Sequence, residues 1–403
     1  MKSNRLGHVS LVSAIALILA STFTACNPVT IDYLYVAGNK ENPGQIQTFV
    51  ADRVSGALSV SGSAISSGGV TPIALATSTD YTHLWALNQG DSSLVTFAVG
   101  SNGALTSGKS YTMSAEGNTP VAMALNAQGT LLYVVNRYQP GCSTYTPGAA
   151  TCTGGALVVF PIGTDGTVGT AVANGSLSYW PIGVNPTAVA ALPSGTSAFV
   201  TSYNTDTGLG YVYAFAATSA GVLSAEPGSP FNAGVRPTGI ACTPVSRFVY
   251  VTDFAQNQLI AYTVLDGGVL VPLINGPFKT GNQPSAITID PRGTFIYVTN
   301  ELDNSVSAYA ISLPTGTPSA AVNTSGSSIN ATGTEPVAVL VDPSFGRYVF
   351  TANFLDNSLS AFQLNPSTGT LAPAQNGPYP TVGQPAALAA IPRGNHSVQV
   401  NQP

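Results

Sequence analysis

The sequence predicts an all-β fold, a seven-bladed β-propeller of four antiparallel strands per blade, and three observations carry that prediction. A unit of about fifty residues recurs seven times, as in propeller blades. Each unit reads as short β-branched and aromatic runs punctuated by Pro, Gly, Asp and Asn. The first unit also lacks a strand that the end of the chain has to spare.

The unit is clearest between Gln283 and Tyr309. A Pro-led alternating run turns at Asp290-Pro291-Arg292-Gly293, runs out as Phe295-Ile296-Tyr297-Val298-Thr299, turns through Asp303-Asn304-Ser305 and returns as Val306-Ser307-Ala308-Tyr309. Pro, Gly, Asp and Asn supply the fixed or positive φ that tight turns need, so this is an antiparallel meander. Its opening proline recurs at Pro72, Pro120, Pro186, Pro237, Pro284, Pro336 and Pro385, with spacings of 48, 66, 51, 47, 52 and 49 residues. The second strand recurs as Leu34-Tyr35-Val36, Leu84-Trp85-Ala86, Leu132-Tyr133-Val134, Ala198-Phe199-Val200, Val249-Tyr250-Val251, Ile296-Tyr297-Val298 and Tyr348-Val349-Phe350. No Pro-led strand precedes Tyr35, and no second strand follows the run from Gln384 to Ile391. The C-terminal strand is therefore expected to complete the N-terminal blade, which removes two exposed strand edges.

The 403 residues form one propeller domain, expected over 32–392, with a polar tail at 393–403. Segments such as 312–334 read as long loops near the outer strand, and helical periodicity is absent. Residues 1–25 read as a signal peptide: Lys2 and Arg5 precede the ten-residue, almost wholly apolar run Leu11 to Ala20, too short to span a bilayer. Phe23-Thr24-Ala25-Cys26 resembles a bacterial lipoprotein cleavage site, although Phe23 stands where Leu is usual. Cys26 is thus the expected lipid anchor and residues 26–31 a tether, placing the protein in the periplasm or at the cell surface; simple secretion is the alternative. Asn27 points to the outer membrane if the host is Gram-negative.

Charged residues are only 7% of the chain. Without Lys2 and Arg5 there remain 10 basic and 17 acidic residues, a net of about −7, so no basic face for nucleic acid is expected. A monomer is expected. Cys142 and Cys152 lie in the Pro/Gly/Thr-rich insertion 137–155 that accounts for the spacing of 66, and a disulfide is expected there, with metal ligation as the alternative. Cys242 reads as a buried free thiol.

A propeller gathers polar groups where innermost strands start and second strands end, on one face around the axis. That mouth is expected to carry Asn39, Asn88, Asn136, Tyr203, Asp253, Asn300 and Asn353 as candidate ligand contacts, each Asn also suited to capping its own turn. Glu301, Arg137 and Arg236 are the candidate catalytic residues among its few charges: a carboxylate activates water and a guanidinium stabilises an oxyanion. No nucleophile elbow, phosphate loop, metal or haem motif is present, so no cofactor or metal is expected. Histidine is confined to His8, His83 and His396, away from the mouth, which argues against a histidine mechanism.

The Asp-Pro-Arg-Gly turn followed by Tyr297-Val298-Thr299-Asn300 resembles the YVTN propellers and the seven-bladed lactonase family, typified by propeller-type 6-phosphogluconolactonases and carboxymuconate-lactonising enzymes. The stretch Val298 to Val306 is similar to the family's Asn-Glu-Leu segment, which implies that Glu301 is an active-site carboxylate. The family's His falls on Thr238, one Arg on Ser285 and another on Ala386. The resemblance implies hydrolysis of a sugar-type lactone. Thr238, Ser285 and Ala386 leave open a non-catalytic propeller that binds a carbohydrate, peptide or partner protein, or serves as a cell-envelope scaffold.

Overall fold

The computed structural model describes residues 29–113 and 115–393. The expected signal peptide, Cys26, the first tether residues and the tail from residue 394 onward lie outside the described residues.

Seven antiparallel sheets form the ring. From the axis outward, blade 1 is Pro385–Pro392, Thr30–Gly38, Gln45–Asp52 and Leu58–Val60. Blade 2 is Pro72–Thr77, His83–Asn88, Ser93–Val99 and Leu105–Thr112; blade 3 is Asn118–Leu125, Leu131–Tyr138, Gly155–Pro161 and Trp180–Ile182. Blades 4 to 7 open at Pro186, Pro237, Pro284 and Pro336. The C-terminal strand pairs antiparallel with the first strand, Tyr35 opposite Ala389 and Asp32 opposite Pro392, so the chain closes its own ring as expected. That first strand begins at Thr30, bringing Thr30 and Ile31 out of the expected tether and into the sheet.

The outer edge departs from the expected pattern. In blades 1, 4, 5, 6 and 7 two short strands pair side by side with the same third strand. Residues 312–334, expected as loop, thus contribute Pro318–Ala320 and Ile329–Ala331, both paired with Ser305–Ile311. One 3₁₀ turn, Asp266–Gly268, interrupts the β structure.

Second strands are buried on both faces because each sheet is packed between two others. All six residues of Phe295–Asn300 are buried. Seven apolar clusters result, one in each seam between adjacent blades, and the seam joining blade 7 to blade 1 packs Leu34, Val36 and Phe49 against Tyr348, Phe350 and Leu359. A ring of glycines locks the same seams from outside. Gly103, Gly166, Gly221, Gly268, Gly316, Gly369 and Gly56 each sit on a side chain at or near the start of the preceding blade's second strand: Tyr33, His83, Leu131, Ser197, Phe248, Phe295 and Tyr348.

Gly316 shows why glycine is needed there. Its φ is +73°, a Cβ would stand 2.3 Å from the Phe248 ring, and its carbonyl accepts a 2.6 Å hydrogen bond from the Tyr250 hydroxyl. Gly316→Ala is expected to cost about 2–4 kcal/mol through left-handed strain plus the clash. Gly326→Ala, at φ +82° in open space, carries the strain alone and is expected to cost about 1–2 kcal/mol. Urea unfolding of both checks this; equal costs would show that the seam contact does not matter.

Candidate functional site at the propeller mouth

Each inner strand opens on a β-bulge. The ladder shifts register just after the proline, leaving Ile73, Val121, Thr187, Thr238, Ser285, Val337 and Ala386 unpaired in the seven blades. A bulge re-aims a side chain. Here three hydroxyls reach the next blade: Thr187 donates to the Pro237 carbonyl at 2.9 Å, Thr238 to Pro284 at 2.7 Å and Ser285 to Pro336 at 2.6 Å. Each also meets a second-strand threonine, Thr201, Thr252 or Thr299.

The residue before the proline carries strain that sequence rules do not foresee, since a residue in that position prefers extended backbone. Thr71, Thr119, Asn185, Gln283, Glu335 and Gln384 are left-handed, with φ between 43° and 59°. Arg236, the seventh, is not among them. The carbonyls of Thr71, Asn185, Arg236, Gln283, Glu335 and Gln384 accept hydrogen bonds from the backbone at the ends of the second strands, at Gln89, Tyr203, Phe254, Glu301, Phe354 and Asn39. Strand starts and strand ends therefore share one face, and that face is the mouth.

Asn88, Asn136, Asp253, Asn300 and Asn353 lie at or near the ends of their strands with no exposed surface, so they offer nothing to a ligand in this conformation. Asn300 donates to Ser305 and Ser307 and accepts from the Gly281 N–H; Asn353 donates to Ser358 and Ser360. Asn136 has no such hydroxyls, because Ala156 and Val158 face its strand, and among the described residues neither amide atom has a partner. The Asp253 carboxylate accepts from Val235, Arg236 and Ala255 N–H groups and from the Gln258 amide, which fixes the backbone of Arg236 and leaves its guanidinium free of it. Asn39 is half-buried.

The exposed Arg236 guanidinium lies 4.4 Å from the centre of the Phe254 ring and 5.6 Å from that of Tyr203. Beside it opens a recess of about 260 Å³ lined by Arg236, Phe254, Asn257, Asn282, Gln283 and Leu302. Next to Leu302, the half-buried Glu301 carboxyl is raised above its ordinary value by burial first and by the charge of Glu335 second, while Arg236 pulls it back down. Among the described residues the one ion pair is Arg292 with Asp290, so Glu301 and Arg236 act on each other without direct contact. Arg137 stands three blades away in blade 3, and is not among the charges acting on Glu301.

The insertion after Arg137 borders this mouth. Cys142 and Cys152 are joined in a disulfide with Cα atoms 5.5 Å apart. Tyr145 within it donates to the Arg137 carbonyl at 2.9 Å, accepts from the Asn185 N–H at 2.6 Å and lies 5.0 Å ring to ring from Tyr138. Cys242 is free and half-buried against the seam of blades 4 and 5, where burial pushes its thiol up to about 12.

Residues 68–153 and 183–403 match the family model described as the seven-bladed β-propeller lactonase. The chain belongs to that lactonase family. Solved structures show the same fold at low identity. A periplasmic gluconolactonase from Pseudomonas aeruginosa is 18% identical, with a TM-score of 0.70 over 90% of this chain and 99% of that one. A Lactobacillus plantarum protein is 17% identical with a TM-score of 0.71, covering 90% of this chain and 100% of that one. A Bacteroides fragilis protein with a provisional 6-phosphogluconolactonase assignment is 18% identical with a TM-score of 0.68, covering 90% and 98%. No curated protein matches the chain.

Within this lactonase-family mouth, two features escaped the sequence reading. Glu335 was visible as the residue before an opening proline, but its influence on Glu301 depends on the adjacency of blades 6 and 7. The stacking of Arg236 between Tyr203 and Phe254 joins it to residues 33 and 18 positions away, with no sequence signature beyond their shared place at strand ends.

Proposed function

We propose that the protein is an exported lactonase, anchored to the envelope through Cys26, that hydrolyses a small sugar-type lactone at the mouth. The observation that carries this reading is the Glu301 carboxyl, raised above its ordinary value, beside an exposed Arg236 guanidinium that forms no ion pair among the described residues. Glu301 takes a proton from water as the oxygen adds to the lactone carbonyl. Arg236 stabilises the resulting oxyanion. Collapse breaks the ring C–O bond, and protonated Glu301 returns the proton to the leaving alkoxide, giving a hydroxy acid with no external co-reactant. The leader and the Cys142–Cys152 disulfide support export to an oxidising compartment.

A non-catalytic binding propeller is the second reading, and a specific observation favours it. Where the resemblance puts the family's His and one Arg, Thr238 and Ser285 spend their hydroxyls on blade-to-blade hydrogen bonds. The pH–rate profile separates the two. Hydrolysis requires ionised Glu301, so kcat/KM is expected to rise with pH through the raised Glu301 value and then level. Arg236→Ala is expected to move that limb to higher pH, because Arg236 lowers the carboxyl, and to reduce kcat/KM about a hundredfold. A rate that ignores both the limb and the substitution would place the chemistry elsewhere.

A further inference from the structure

The aromatic wall of the mouth does not stop at the reacting groups. From Phe254 in blade 5 it passes through Arg236 to Tyr203 in blade 4, and Asn185 joins Tyr203 to Tyr145, its side-chain amide donating to the Tyr203 carbonyl at 3.3 Å and its N–H to the Tyr145 hydroxyl at 2.6 Å. Tyr145 then meets Tyr138 in blade 3, the two rings tilted at 53° with their centres 5.0 Å apart. These four rings are all half-buried, so each keeps an open surface. Glu301 and the recess stand at one end; the disulfide-pinned insertion stands at the other. The insertion is built to hold its ring still: Cys142–Cys152 closes the loop, the buried Gln139 side chain accepts from the Cys152 N–H at 2.9 Å, and the Tyr145 hydroxyl clasps Arg137 and Asn185. A pre-ordered aromatic surface binds without the entropy loss of immobilising it.

We propose that this wall is an extended sugar subsite, and that the substrate is the lactone of an oligosaccharide, its lactone ring at Glu301 and Arg236 and its glycosyl substituent on Tyr203, Tyr145 and Tyr138. A pyranose with equatorial hydroxyls presents C–H groups on its flat face, which pack against the electron-rich face of an aromatic ring. Its rim hydroxyls suit the amides of Asn257, Asn282 and Gln283 around the recess. One sugar ring covers one or two of these side chains; a wall crossing three blades accommodates a second unit. The reaction that supplies such a substrate oxidises the reducing-end carbon of an oligosaccharide to the lactone, and the product is the corresponding aldonic acid. The identity of the reacting ring rests on the proposed hydrolysis, whereas the wall's preference for a second sugar does not.

The test is calorimetric titration of the mature chain, residues 27–403, with non-hydrolysable lactams: glucono-1,5-lactam, and its cellobiose- and maltose-derived counterparts. At least one disaccharide lactam is expected to bind about tenfold more tightly than gluconolactam, the scale of one aromatic anchor. Tyr145→Ala is expected to erase that preference and leave gluconolactam binding unchanged, and Tyr145→Phe, which keeps the ring, to retain most of it. Tyr203→Ala is expected to weaken all the lactams, with thermal unfolding confirming that each variant folds. Equal affinities for the single and double sugars, no binding by any lactam, or a preference indifferent to Tyr145→Ala would overturn the proposal. A preserved disaccharide preference in a protein that turns over no lactone would sink the hydrolytic reading and leave this one standing.

Discussion

Ending the chain at Gln384 is expected to leave a protein that does not fold to its native state. The strand Pro385–Pro392 supplies every inner hydrogen bond of blade 1 and buries Ala387, Ala389, Ala390 and Ile391 in the seams with blades 7 and 2. Without it, Thr30–Gly38 becomes an open edge in the middle of the ring, with Leu34, Tyr35 and Val36 uncovered. The loss is on the order of the entire ~5–15 kcal/mol margin of a folded chain. Near-ultraviolet circular dichroism and thermal unfolding of the truncated protein check this. A peptide spanning 384–393 added in trans is expected to restore part of the signal, and a truncated chain with an unchanged melting temperature would mean that the closing strand is dispensable.

The same seam holds a pair of carboxyl groups whose substitutions are expected to have opposite effects. Asp32 at the start of blade 1 and Asp342 in a blade 7 turn are both fully buried. The Asp342 carboxylate accepts from the backbone N–H groups of Phe345, Arg347 and Tyr348, a set that favours the ionised form. Asp32 accepts from the Ser344 hydroxyl through Oδ1, and its Oδ2 is buried with no hydrogen-bond partner among the described residues. Burial above all, with the charge of Asp342 behind it, raises Asp32 well above the ordinary 3.8; burial raises Asp342 too, but its backbone N–H bonds pull it back, so Asp32 is the carboxyl that takes a proton first.

The consequence for stability has a definite sign. The folded protein holds a proton that the unfolded chain releases near pH 4, so this contribution is complete below that pH and is lost as pH rises through the folded value. The raised carboxyls of Glu301 and Glu226 add a slope of the same sign, while the nearby Tyr348 phenol, pushed up to about 12, stays neutral throughout. Asp32→Asn removes the titrating proton and is expected to raise the melting temperature at pH 8 and flatten the decline as pH rises above about 4. Asp342→Asn puts an amide where N–H groups point at a carboxylate and is expected to cost about 3–5 kcal/mol. Melting curves across pH for both variants decide it; destabilisation by Asp32→Asn at pH 8 would show that both carboxylates are charged and matched by some other group.

The propeller was legible because its punctuation is chemical. Pro at each strand start and Gly, Asp or Asn at each turn are required by backbone geometry, so Pro237, Pro284 and Pro336 mark blades whatever lies around them. Counting strands told how the ring closes, since Tyr35 had no inner neighbour and Ile391 had no outer one. Contacts between blades were not legible in that way. Gly316 reads as a turn glycine, and nothing local says that Phe248 lies beneath it. Asp32 and Asp342 meet from opposite ends of the chain. Mouth asparagines were legible in position and not in direction: ending a strand put Asn300 and Asn353 at the axis, yet serines one and three places along the neighbouring strand turn their amides inward. Of the three candidate catalytic residues, the fold brings Glu301 and Arg236 into one mouth and leaves Arg137 by the insertion.

Turnover itself tests the functional account most directly. Purified chain 27–403 is assayed against gluconolactone, disaccharide aldonolactones and aliphatic lactones, with Glu301→Gln alongside. The account predicts hydrolysis of a sugar lactone above the spontaneous rate and a loss of about a hundredfold or more in kcat for Glu301→Gln, with lactam affinity retained. Hydrolysis that survives the substitution, or no hydrolysis of any lactone by the wild-type protein, would contradict it.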